Sequence, residues 1–433
     1  MKKLLLIGSV AVAALSGAAE VSLAQPKRGA APAAKAPAWA GPIATYWMSA
    51  ETTTGMSAMG GLGGMAAAAM AGAAGREAEP DASAGRPSVA GAVIGGLLGR
   101  GGGLFGRKSK GKGDQQQGQQ AQAPQMPQQD GYVRSLFLQL GSRNRAAAAP
   151  NADHLVPAGL GAGTSLPLLT PEAARATVST PFERPKGKML IYWGCGEHAR
   201  TGQPVTIDFS KLAAGQMPSG FAGGPQVRSE QPPSLARYPG YGEWPNRRQT
   251  RQLPASASLV GNHVVQGNYS PEIRFALAAG QDFLGPLRMT ANSAAPTGSV
   301  PLRWQAVPNA TAYFAMATGA MADGTVVMWS SSETQMFGWA NDYLNAGDAA
   351  RLVQSRVLLS PATTQCTVPA EVQRSVQGAA LMMTAYGPET NLAQPKPAGA
   401  PASWRPDWTV KLRTKSTHTG MLGMDMAAMM RGQ

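Results

Sequence analysis

Aromatic side chains bury more surface than any others, and this 433-residue chain distributes them very unevenly. Residues 25–130 contain four (Trp39, Tyr46, Trp47 and Phe105), whereas residues 131–433 contain 23. Within the poor stretch, residues 91–113 hold ten glycines and residues 115–129 hold nine glutamines. Such segments bury too little apolar surface to offset a backbone ordering cost of about 1–2 kcal/mol per residue. The expectation is a low-complexity, largely disordered region over 25–130, with folded domains from residue 131. One island interrupts it. Thr45-Tyr46-Trp47-Met48 opens a docking segment at 45–59 that packs on another part of the fold.

The N-terminus reads as an export signal. Lys2 and Lys3 precede an apolar run from Leu4 to Ala19, and Ser22-Leu23-Ala24 offers the small residues a signal peptidase reads. Residues 1–24 are therefore expected to be a signal peptide, and the run falls short of the ~20 residues of a membrane span. A periplasmic, cell-surface or secreted location follows. The formal charge of +14 then favours anionic partners. An envelope component, a protein partner or an anionic surface fits that location better than nucleic acid. An oxidising compartment also permits a disulfide between Cys195 and Cys366, the only two cysteines.

From residue 131 short apolar runs alternate with proline and glycine. Leu136–Leu140, Met189–Trp193, Val205–Phe209, Leu259–Val265 and Glu272–Leu277 have strand length, and a 3.6-residue period is hard to find. Residues 131–290 are predicted to form a mainly β, sandwich-like domain. Further on, Pro301-Leu302-Arg303-Trp304 and Pro308-Asn309-Ala310-Thr311-Ala312-Tyr313 carry an aliphatic, x, Trp, then Pro-x-Ala, then Tyr, with Tyr313 nine positions after Trp304. This segment resembles the B–C strand hairpin of fibronectin type III domains. The resemblance implies a fibronectin type III-like sandwich over 296–415, with following strands at 325–329, 364–368, 379–386 and 408–415. It also implies a binding or spacer role. Residues 330–360 depart from the family as an insert with a helix-like stretch at 339–353. A Met-rich tail, 416–433, ends the chain. The fold class expected overall is mainly β, with a disordered N-terminal region and two sandwich-like units.

Catalytic motifs are missing: no Gly-x-Ser-x-Gly elbow, His-Glu-x-x-His or phosphate-binding loop occurs. Cys195 and His198 lack the further ligands a zinc site requires. The chain is read as a non-catalytic binding protein without a cofactor, the alternative being an enzyme of unknown reaction whose site is assembled only in space. Two segments offer ligand chemistry. Tyr238, Tyr241 and Trp244 with Arg247 and Arg248 could stack on sugar faces and hold an acidic group, or the rings could cover the core of the β domain. Thr52–Met59 and Thr417–Met424 share the pattern Thr-x-Thr-Gly-Met-x-x-Met. Flexible methionines suit an apolar docking groove. Alternatively Met56, Met59, His418, Met421, Met424 and Met426 could bind Cu(I), a soft ion that selects thioethers. If the Tyr46–Trp47 segment docks on the last strand, the two copies are brought together. Gly91, Gly95 and Gly99, followed by Arg100, Arg107, Lys108, Lys110 and Lys112, read as a flexible linker or a shallow anionic-membrane contact.

Overall fold

The structure is a computed structural model that describes residues 41–58, 131–146, 148–172, 187–213, 230–249, 253–335, 343–376 and 378–424. Residues 1–24, read above as a signal peptide, and the glycine series at 91–99 lie outside the described residues, as does the part of the expected 416–433 tail beyond Met424; its first residues, 416–421, belong to the last strand.

The protein is mainly β. In its first half β1 (Ala44–Gly55), β2 (Tyr132–Ser142), β3 (Ala152–Leu155) and β4 (Ser165–Pro167) are followed by β5 (Lys188–Trp193) and β6 (Val205–Asp208). A single-turn helix α1 (Phe209–Ala213) precedes β7 (Gly240–Trp244), β8 (Gly261–Gly267) and β9 (Ile273–Leu277). The second half begins with β10 (Met289–Asn292), β11 (Val300–Trp304), β12 (Ala312–Ala320) and β13 (Val326–Ser330). Helix α2 (Ala346–Gln354), β14 (Gln365–Val368), α3 (Ala370–Ser375), β15 (Ala380–Ala393) and β16 (Trp408–Met421) complete it.

One nine-stranded sheet, in the order β6-β5-β13-β12-β15-β16-β1-β2-β7, runs through both halves. Two small sheets cover one of its faces. The four-stranded sheet β4-β3-β8-β9 packs over β16, β1, β2 and β7 around Tyr46, Met48, Leu138, Leu140, Trp244 and Val410. The three-stranded sheet β10-β11-β14 packs over β13, β12 and β15 around Leu302, Trp304, Tyr313, Trp329 and Met383. Alternation decides each face. Ala44, Tyr46, Met48 and Ala50 point into the first core, as Leu136, Leu138 and Leu140 do from β2. On the opposite face α2 packs Ala349 and Leu352 against Phe314 and Met316. Its start is capped by Asn345, whose side chain accepts the Asp348 N–H at 2.8 Å.

The strands from β10 to β16 have the two-sheet distribution that the fibronectin resemblance implies: β10, β11 and β14 on one side, β13, β12, β15 and β16 on the other. The expected hairpin is a crossover instead. β11 and β12 belong to different sheets, and the Pro308-Asn309 link, with Asn309 at φ 63°, carries the chain between them. Trp304 and Tyr313 then meet across the core with ring centroids 5.5 Å apart.

The two segments are not separated at residue 290. β5 pairs in parallel with β13, and the 14-residue strand β15 serves both cores. A bulge between Tyr386 and Glu389 re-aims β15: Leu381, Met383 and Ala385 lie in the second core and Leu392 packs on the first. Residues 45–58 fall within the segment expected to dock on the fold rather than in the low-complexity region around it. They form a central strand, with β1 parallel to β16 over its full length and antiparallel to β2.

Cys195 and Cys366 are bonded, with Cα atoms 5.2 Å apart. The bond ties the loop after β5 to β14. Alongside it, the Gly196 N–H donates to Thr367 O and the Trp329 indole to Gly194 O, both at 2.9 Å.

Candidate functional site

The parallel register of β1 and β16 sets the two Thr-x-Thr-Gly-Met segments side by side, offset by one residue, with Thr54 opposite His418 and Gly55 opposite Thr419. Thr54 organises the junction. Its hydroxyl has one proton, which it gives to Leu287 O at 2.7 Å, so at 2.9 Å it accepts from Nδ1–H of His418. That leaves His418 Nε2 as a bare acceptor with no hydrogen-bond partner among the described residues. Burial lowers the pKa of this imidazole to about 4, so it is neutral at physiological pH. The glycines of both copies make room for it. A Cβ on Gly55 would overlap the Thr419 carbonyl oxygen and stand 2.8 Å from His418 Cε1, and one on Gly420 would stand 3.3 Å from Nε2. Ser57 closes the junction, its hydroxyl 2.7 Å from that of Thr419.

Beyond the end of β16 lies an open cleft of about 280 Å³, bordered by Gln373, Arg374, Gly378, Leu422 and Met424. Leu422 is buried in the second core, whereas Met424 is exposed. Arg374 is mostly exposed and pairs with Glu371 at 2.9 Å. The cleft thus combines an apolar floor, a flexible thioether and a cation. Among the expected metal ligands, Met59 and Met426 lie outside the described residues. His418 faces Thr54 and Gly55, while the Met421 methyl lies against Gly378 and Met424 borders the cleft. Among the described residues no group of three or more His, Cys, Asp and Glu is placed to hold a metal ion.

The aromatic segment 238–244 sits differently from a sugar-stacking surface. Tyr238, Tyr241 and Trp244 are all buried, because this segment supplies edge strand β7, with Trp244 in the first core. Tyr241 donates to the buried Glu243 carboxylate at 2.6 Å, and Gln139 donates to the Tyr241 oxygen at 3.2 Å. Burial, reinforced by Glu243, holds the Tyr241 phenol far above its ordinary range. Arg247 and Arg248 stay exposed, Arg247 paired with Glu172.

Two buried arrangements were not anticipated from the sequence. The first is a hydrogen-bonded chain in the first core. Leu259 O can only accept, so His263 Nε2–H donates to it at 2.7 Å. His263 Nδ1 must then accept from His154 Nε2–H at 2.9 Å, and His154 Nδ1 accepts from the Tyr46 hydroxyl at 2.8 Å. Both histidines are thus neutral and protonated on Nε2. Burial lowers the pKa of each, and the neighbouring His263 lowers that of His154 further. The second is a cation–aromatic ladder on the outer face of β16. Arg413 lies 4.6 Å from the Trp47 ring and 4.5 Å from that of Tyr343. Lys411 and Lys415 flank it over the same rings. Their charges are matched: Lys411 pairs with Glu230 and Glu389, and Lys415 with Glu51. The alternating basic residues of Lys411-Leu412-Arg413-Thr414-Lys415 were a visible sign of one strand face.

No protein-family model, curated protein or solved structure matches this chain.

Proposed function

We propose that this chain is an exported, non-catalytic protein of the cell envelope that binds a partner protein at the end of the fold where the two Thr-x-Thr-Gly-Met segments meet. The observation that carries this reading is the cleft beside Met424, Leu422 and Arg374, which opens directly from the second segment. A thioether adapts to varied apolar shapes, and the guanidinium pairs with a carboxylate. The complementary ligand is an extended peptide that presents an apolar side chain beside an acidic one. The formal charge of +14 supports an acidic partner.

The test combines cell fractionation with a photo-crosslinking side chain at position 424. The reading expects the protein in the envelope fraction and one discrete crosslinked protein, lost in the Arg374→Glu variant. Retention of an uncleaved Met1 form in the cytoplasm, or crosslinking indifferent to Arg374→Glu, counts against it.

A second reading, soft-metal binding, is favoured by His418 alone. A metal-ligating histidine donates its other ring N–H to an oxygen. Thr54 Oγ1 takes that role here and leaves Nε2 available. Met56 and Met421 adjoin the glycines that seat the ring. A Cu(I) titration that is lost in His418→Gln and weakened in Met56→Leu/Met421→Leu supports this reading. Titration unaffected by His418→Gln rejects it.

A further inference from the structure

We propose that the slot between β16 and β2 is a strand-acceptor site, and that a second copy of this chain can fill it with its own β1. The topology first separates β1 from its neighbours. It is joined to neither by a hairpin, although it pairs along its 12 residues with β16 and along 11 residues with β2. Residues 56–131 connect it to β2. These roughly 76 residues can reach at most about 270 Å. A globule of the roughly 270 described residues has a radius of gyration near 18 Å. Nothing in this connectivity requires the β1 that fills a slot to belong to the same molecule.

The side-chain chemistry then names the donor. On the inner face the Tyr46 hydroxyl donates to His154, and the Thr52 and Thr54 hydroxyls donate to Leu284 O and Leu287 O, both at 2.7 Å. On the outer face Arg413 donates to Ser49 Oγ, and Thr417 to the Glu51 carboxylate, both at 2.8 Å. Without β1 these buried groups and the facing edges of two strands would lack partners, and each buried polar group left unsatisfied is destabilising. A donor must therefore offer a hydroxylic aromatic, an apolar side chain, a carboxylate and two threonines, at alternate positions on the correct faces. This chain's own β1 does so, and a second copy is the partner certain to carry it. Exchange between copies reproduces every contact, so the two arrangements differ only through effective concentration.

Cysteines placed at Ser57 and Thr419, whose hydroxyls are 2.7 Å apart, report the exchange. Ser57→Cys is introduced in one full-length chain and Thr419→Cys in another, with Cys195–Cys366 left intact. The two chains are unfolded without reductant, refolded together and mildly oxidised. Within one unswapped molecule neither variant has a partner thiol. Short tethers set millimolar effective concentrations and longer ones less. At about 100 μM protein, therefore, at least roughly a tenth of the slots should be filled in trans. The expected product is a covalent dimer bridged from position 57 to position 419, with a yield that rises with refolding concentration. Met48→Pro in the Ser57→Cys chain should abolish it, because proline cannot pair within a central strand. The double variant Ser57→Cys/Thr419→Cys in one chain should close internally. If it closes and the mixed chains give no dimer, trans donation is overturned. If it fails to close, the register behind the proposal is itself refuted.

Discussion

Replacing Tyr46 by Phe removes one oxygen from the interior and should cost far more than its volume suggests. Both Tyr46 and His154 are fully buried, and their hydrogen bond is 2.8 Å long. Phenylalanine retains the ring, so packing is kept and no cavity larger than an oxygen appears. The acceptor left behind, His154 Nδ1, cannot find another donor by reversing the chain. Its Nε2–H is committed to His263, whose own Nε2–H is committed to the Leu259 carbonyl. The loss is therefore that of an unsatisfied buried acceptor, about 1–3 kcal/mol. Equilibrium denaturation with the disulfide intact measures it. Repeating the substitution in a His154→Leu background should shrink its effect, because the orphaned nitrogen is then absent. Nitrogen NMR of the histidines should show both rings protonated on Nε2. A loss below about 0.5 kcal/mol, or a proton on His154 Nδ1, would refute the assigned direction of the chain.

Acid should weaken the fold through its buried histidines. Their folded pKa values are lowered, so the unfolded chain takes up protons first; stability is complete above pH ~6.5 and falls as pH drops towards the folded values. For His418, with a folded value of about 4, this amounts to about 3 kcal/mol across that window. The His418→Gln variant should show a flatter pH dependence of its urea midpoint, and an unchanged slope argues against the assignment. Replacing both Cys195 and Cys366 by serine opens a loop with a sequence separation of 171 and should cost up to about 5 kcal/mol. Urea titration checks this, and a loss near zero would mean that hydrogen bonds alone hold the 194–199 loop. Gly55→Ala combines a φ of 72° with overlap of the Thr419 carbonyl, and should cost more than about 2 kcal/mol. Gly324→Ala, at φ 82° with open space around it, should cost only about 1 kcal/mol, so equal losses in the two variants would remove steric overlap as the cause.

The legible part of the fold is the part that side-chain alternation writes locally. Leu302 and Trp304 on β11 and Trp408 to Leu412 on β16 declare their strands because each buries alternate residues against a neighbouring sheet, and Met189 to Tyr192 on β5 does so as a short apolar run that packs on both faces. The Trp304–Tyr313 spacing likewise foretold a shared core. The aromatic segment left two readings open, exposed rings or rings over the core, because a sequence of rings does not say which way they face. β7 lies at a sheet edge, yet packing turns Trp244 inward and roofs Tyr238 and Tyr241. The His154–His263 chain left no local signal, since its members lie on different strands and meet Tyr46 from a third.

By itself, the sequence determined the mainly β class, the strand positions of the second sandwich, the one possible cysteine pair and the kinship of the two Thr-x-Thr-Gly-Met segments. Each of these is a matter of residue type and short-range spacing. The tertiary structure alone decided that the two cores share one sheet, and that residues 44–55, expected to dock on the last strand, are a central strand with β2 on their other side. The reason is physical. Strand pairing is satisfied by any backbone of suitable length and face pattern, so which partner wins depends on the sum of distant contacts: Tyr46 with His154, Thr54 with Leu287, Ser49 with Arg413. No window of neighbouring residues contains that sum.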